Sequence, residues 1–223
     1  MRCRQIILIL LIVLLALPAL AQRRVHGHRG PDAFRPGAFE LVAEGAAVMP
    51  LNDLADDFVG TDKGMGASTG WEVGGRLRYY VSPTTTVGPA VHYADLGDWN
   101  DILTDDQGEA AYSVRTSILR VGLDIQQFLG ERRARVRPYV TVGIALSRNR
   151  YEDWIQGDGT FTSTSSNLAA SLGGGVAMGP VELSVLWTYN PVENRELPLG
   201  DGAVDDTFAW NTFAVRGGIA FGH

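Results

Sequence analysis

The feature that most limits how this chain can fold is a period of two. Eight stretches alternate, residue by residue, between apolar and small or polar side chains, and hardly one is continuously hydrophobic. In 212–222, Phe213, Val215, Gly217, Ile219 and Phe221 share one face, while Thr212, Ala214, Arg216, Gly218, Ala220 and Gly222 share the other. Successive side chains of a strand point to opposite faces, so one face here suits lipid and the other a polar interior. A bilayer core offers no water to satisfy backbone N–H and C=O groups, so strands cross it only as a closed barrel.

The leader sets the compartment. Arg2 and Arg4 precede an apolar run over 6–17, then Pro18 and the small-residue site Ala19-Leu20-Ala21, the pattern of a cleaved signal peptide over 1–21. Its apolar core falls short of the ~20 residues a spanning helix needs, and no later apolar run approaches that length. Cys3 leaves with the leader, so no disulfide scaffold, thiolate metal site or lipid anchor is expected. Loss of Arg2 and Arg4 from 19 basic residues leaves 17 against 25 acidic ones, a formal charge of −8. That balance disfavours nucleic acid as a partner.

Residues 22–37 are basic and broken by Gly30, Pro31, Pro36 and Gly37, which reads as a flexible periplasmic lead-in. The barrel is expected over 38–223, with strands at 38–49, 69–81, 86–94, 112–128, 136–147, 166–178, 181–189 and 212–222. Pro89 removes a ladder donor from the third of these. The connections 50–68, 95–111, 148–165 and 191–206 are long and polar, whereas Ser82-Pro83-Thr84-Thr85, 130–135 and Gly179-Pro180 are short and turn-like. Long loops at one end and short turns at the other is the outer-membrane layout, with both termini on the periplasmic side. An even strand number lets the first and last strands pair and removes exposed edges. The expected fold is all-β: an eight-stranded antiparallel up-and-down transmembrane β-barrel.

Aromatic positions agree. Trp71, Tyr93, Tyr112, Trp187, Tyr189, Phe208 and Trp210 fall where strands enter the long connections, and Phe39, Tyr79, Phe128 and Phe221 near the opposite ends. Two interfacial girdles are therefore expected. The ending Arg216-x-Gly218-x-x-Phe221-x-His223 resembles the terminal signal read by the barrel-assembly machinery in the OmpA-like transmembrane-domain and opacity-type family of small outer-membrane barrels. The resemblance covers 38–223; the family usually ends in phenylalanine or tryptophan where this chain has His223. It implies insertion by that machinery, contact with outer-membrane lipids and lipopolysaccharide, and loops facing an unknown extracellular partner. The peptidoglycan-binding domain of full-length OmpA-like proteins is not expected.

The inward face collects Glu40, Glu44, Glu72, Asp124 and Glu182 against Arg76, Arg78, Arg120, Arg137 and Arg216, five of each sign. The interior of an eight-stranded barrel is just filled by side chains, and buried charge is tolerated only when paired, so a closed polar core is expected. Counting from strand ends sets Glu44 level with Arg76 and Arg216, a cluster of three within a network that also holds Glu72, Arg120 and Asp124. His92 is the one histidine in the strands; it points inward, with Ala94 where a nucleophile would be wanted. Catalysis like that of the lipid A deacylases, which use histidine and serine on the lipid side, is therefore not expected. The acidic loops match no EF-hand spacing, His26-Gly27-His28 is too sparse for a metal, and Gly173-Gly174-Gly175 lacks the lysine and helix of a phosphate loop. No cofactor or metal is expected. The expected function is that of a non-enzymatic outer-membrane protein whose barrel anchors four surface loops for a structural or adhesive role. A narrow pore for small solutes or hydrophobic molecules is the alternative, followed by a lipid A-modifying enzyme.

Overall fold

The computed structural model describes residues 36–55, 66–105, 108–129, 134–157, 159–196 and 203–222. The leader, all but two residues of the lead-in segment, and His223 at the end of the assembly signal lie outside the described residues. The strands are β1 (Phe39–Leu51), β2 (Ser68–Tyr80), β3 (Thr85–Asp105), β4 (Gly108–Phe128), β5 (Val136–Ile155), β6 (Gly159–Met178), β7 (Val181–Tyr189), β8 (Pro191–Glu196), β9 (Ala203–Ala209) and β10 (Asn211–Gly222). Eight of them close a barrel in the order β1-β10-β7-β6-β5-β4-β3-β2, while β8 and β9 form a separate hairpin. The seal is the antiparallel ladder between β1 and β10, continuous from Glu40↔Gly222 to Leu51↔Asn211.

The two faces separate as the period of two requires. Leu41, Val142, Leu168 and Phe221 are 53%, 46%, 67% and 56% exposed, whereas their neighbours Glu40, Val42, Thr141, Ala169 and Ala220 are buried. Charged residues inside and a continuous apolar belt outside are the arrangement of a barrel immersed in lipid, and the reverse of a soluble one. The chain is a transmembrane β-barrel of the outer-membrane type.

Two short turns are built locally. The Ser82 hydroxyl accepts from the backbone N–H groups of Thr84 at 3.2 Å and Thr85 at 2.9 Å, tying the β2–β3 turn. The β6–β7 turn places Gly179 at φ +60°, a conformation that costs glycine nothing. Pro89 is accommodated in β3 where the β2–β3 ladder steps from Arg76↔Ala90 to Tyr79↔Val87.

The strands differ from expectation chiefly at the long-loop end. β3 and β4 have 21 residues each and β5 and β6 have 20, so most of 95–111 and 148–165 is ladder rather than loop. The last connection holds the β8–β9 hairpin. A spanning strand needs only ~9–11 residues, and beyond the bilayer both faces of a strand can be polar. The hydropathy contrast that marks a strand in lipid then disappears, although the Ser- and Thr-rich start of β6 keeps a strand-favouring composition. The result is a four-stranded wall, β3 to β6, standing beyond the belt.

Replacing Val142 with arginine puts a charge on the lipid face within the belt. It should destabilise the barrel by about 2–4 kcal/mol in urea unfolding from phosphatidylcholine vesicles; an unchanged midpoint would contradict the assignment of that face to lipid.

Candidate functional site

The chemistry of the chain lies inside the barrel, in layers. At the short-turn end the rings of Phe128 and Tyr139 meet edge-on at 5.5 Å, and Tyr80 stacks on Phe128 at 6.5 Å. The Arg137 guanidinium sits 4.1 Å from the Phe128 ring centroid, a cation–π contact. Phe128 thus belongs to this floor, not to the outer girdle expected of it; its even number gives it the inward parity of Arg120 and Gln126.

Above the floor runs a chain of ion pairs. Arg78 donates to Glu40 Oε2 at 3.0 Å and forms a bidentate pair with Glu182. Arg76 lies between Glu182 Oε2, at 3.5 Å, and Glu44 Oε1, at 2.5 Å. His92 Nε2 reaches the other Glu44 oxygen at 2.9 Å. A second group centres on Glu72: its Oε1 accepts from Arg216 Nε at 2.8 Å and its Oε2 from Arg120 Nη1 at 3.0 Å, while Arg120 Nη2 donates to Thr212 Oγ1 at 3.0 Å.

The register explains these partners. Inward residues of one row sit on successive strands, and charged groups meet across an intervening small residue. Arg216 and Glu72 both pair with Ala46. His92 pairs with Gly74, which pairs with Glu44; a Cβ on Gly74 would lie 2.2 Å from His92 Cδ2. Glu44 and Glu182 face each other across Gly218, and Arg76 bridges these two like charges. Of the cluster expected of Glu44, Arg76 and Arg216, Arg76 bonds Glu44 directly and Arg216 bonds Glu72. Arg216 and Glu72 meet across Ala46, one row from Glu44, which is level with Gly74 and Gly218. Asp124 faces the lumen but forms no ion pair among the described residues. It lines a cavity of about 30 Å³ together with His92, Arg120, Ser171, Thr188 and Arg216, room for one or two water molecules. Gly143 makes way for it, since a Cβ there would lie 2.2 Å from Asp124 Oδ1.

At the long-loop end an apolar cluster closes the interior, including Val48, Leu54, Leu96, Ile118, Leu186 and Trp210. Trp210, expected in the girdle, is only 2% exposed. It shares the inward parity of Thr212, Ala214 and Arg216, and its backbone N–H donates to Asn190 O at 3.0 Å. Trp71, Tyr93, Trp187 and Tyr189 do point outward, in the pairs Trp71–Tyr93 and Trp187–Tyr189 at 5.9 and 6.3 Å between centroids. The Tyr112 side chain lies outside those described, as does that of Phe208.

One feature escaped the sequence reading. Asn149 donates to Asn167, Asn167 to Asn190 at 2.7 Å, and Asn190 back to Asn149 at 2.9 Å, a closed triangle of amides. It holds β5, β6 and the end of β7 together just beyond Ala170↔Tyr189, where the β6–β7 ladder begins. Isolated asparagines at strand ends carry no spacing signal that could have revealed it. Among the described residues no group of three or more His, Cys, Asp or Glu could hold a metal.

No protein-family model matches the chain, and a search of curated proteins finds no match. Among solved structures the chain is similar to Ail, the attachment invasion locus protein of Yersinia pestis, at 13% identity and a TM-score of 0.47, covering 83% of this chain and 99% of that one. It is similar to Neisserial surface protein A at 14% identity and 0.47, covering 84% and 99%, and to a major outer membrane protein from Thermus thermophilus at 10% and 0.48, covering 82% and 100%. These are likenesses of architecture.

Glu72 holds two buried arginines, so Glu72→Gln should cost about 3–5 kcal/mol by leaving both without a counter-charge. Replacing Glu72, Arg120 and Arg216 together with leucine or methionine should cost much less. Urea midpoints of the variants in one detergent measure both; equal losses would mean that the ion pairs do not govern stability.

Proposed function

We propose that this chain is a closed, non-enzymatic outer-membrane barrel with periplasmic termini, and that its work is done by the wall of β3 to β6 and the β8–β9 hairpin at the cell surface. The observation that carries this reading is the contrast between a filled interior and an extended exterior. The lumen is occupied by paired charges, floored by aromatic rings and closed above by an apolar cluster, which favours an anchor over a conduit. The wall rises on one side, and 159–169 of β6 pair with β5 while having no ladder partner on the other edge among the described residues. This Ser- and Thr-rich edge, beside which β8 lies, suits contact with an extracellular partner, because an added strand can pair with an edge that lacks a ladder partner. The outward pairs Trp71–Tyr93 and Trp187–Tyr189 would mark the lipid–water boundary at the long-loop end and Phe39–Tyr79 the opposite one, and the ending Arg216-x-Gly218-x-x-Phe221-x-His223 would serve insertion by the assembly machinery.

An epitope inserted at Gly157, at the tip between β5 and β6, should be labelled by antibody on intact cells, and purified protein in planar bilayers should show no stable conductance. Labelling only after permeabilisation would overturn the orientation. A steady conductance altered by Glu72→Gln would favour the narrow pore instead.

A further inference from the structure

Among the described side chains four arginines are exposed: Arg115, Arg135, Arg148 and Arg150. Arg135 lies at the short-turn end, just before β5, and the other three stand together on the outer face of β4 and β5, immediately beyond the lipid belt. The local register shows how closely they adjoin it. Leu146 pairs with Val121 and Leu168 and is 60% exposed. The next outward residue on the strand, Arg148, pairs with Leu119 and Ser166, and the one after, Arg150, with Ser117 and Thr164. Each outward step along a strand rises about 7 Å, so both guanidinium groups stand at the height of lipid headgroups while the leucines below them stay in the acyl region.

The acids nearby do not use up this charge. Arg150 pairs with Glu152, the two side chains 57% and 31% exposed, a half-open pair that holds little energy against a doubly charged competitor; Arg115 is held by Asp95, whose side chain is 10% exposed, and stands at the edge of the patch. Arg148 has no ion pair among the described residues. Trp154, outward on the same strand and 43% exposed, adds a flat apolar surface further out. Upward along β5 the outer face therefore runs apolar side chains, then Arg148 and Arg150 flanked by hydroxyls, then Glu152 and an indole. In a chain whose formal net charge is −6, this local excess of outward cations runs against the whole.

We propose that Arg148 and Arg150, aided by Arg115 and the hydroxyls of Ser117, Thr164 and Ser166, form a binding site for the headgroup phosphate of a phosphorylated glycolipid in the outer leaflet. The leucines lie along its acyl chains, and Trp154 lies against its sugars. Guanidinium groups suit this task because their planar donors match phosphate oxygens in pairs. The site rests on the orientation proposed above, which sets this end of the barrel outward.

The test is native mass spectrometry of the full barrel released from detergent micelles containing diphosphorylated lipid A, its dephosphorylated counterpart, or inorganic phosphate as competitor. Wild-type protein should retain the diphosphorylated lipid, and Arg148→Gln/Arg150→Gln should retain about tenfold less while keeping heat-modifiable migration on gels. Arg135→Gln should behave as wild type. The proposal is overturned if the double variant retains as much lipid, if dephosphorylated lipid is held equally, if Arg135→Gln lowers retention as much, or if millimolar inorganic phosphate displaces the lipid, which would make the site one for free anions. Binding in micelles does not depend on how the barrel sits in a cell, so failure here would leave the orientation to be judged by the surface epitope alone.

Discussion

The ladder between β1 and β10 is the contact on which everything else rests. Without it the outer strands would present unpaired N–H and C=O groups to hydrocarbon, at several kcal/mol each. Its register also sets the level of each inward residue of β1 against those of β10 and, through β2, against the rest of the wall. One ladder therefore determines both that the barrel is sealed and which charges meet inside it.

Inside, small residues matter as much as charged ones. Arginine and glutamate side chains are long, and a ring of eight strands leaves room for them only if the positions between them are empty. Ala46, Gly74 and Gly218 provide that room, and each lies between two groups that form or share an ion pair. The glycine content of the strands is thus tied to the charge network, and a Gly-to-larger change would act on electrostatics through space. The same economy explains why Asp124 has Gly143 beside it.

The fold was legible because lipid imposes a strict contrast between alternate residues, and every strand that crosses the bilayer carries it. β7 and β10 were readable to within a residue. The outer parts of β3, β5 and β6 were not, since in water neither face has to be apolar and the period of two loses its contrast; β4 was read from 112 instead of Gly108. Within the lumen, parity was enough to name the charged residues but not their partners: counting from strand ends misplaced Glu44 by one row, and bulges such as the shift between Ser68 and Trp71 make such counts unsafe. Trp210 and Phe128 were set outside because their position along the strand was weighed above their parity. The asparagine triangle joins residues from three strands and has no linear pattern at all.

The ion pairs of the lumen join distant parts of the chain: Arg78 to Glu182, 104 residues apart, and Arg216 to Glu72, 144 apart. Arg78 finds Glu40 on β1 and Glu72 finds Arg120 on β4, but each group is completed only by a residue from the last strands, Glu182 and Arg216. A chain that has folded only its first six strands lacks Glu182 and Arg216 and leaves both ion-pair groups incomplete, besides its unpaired strand edges. The charge network and the sealing ladder are therefore completed by the same last strands, so an unfinished barrel lacks both at once.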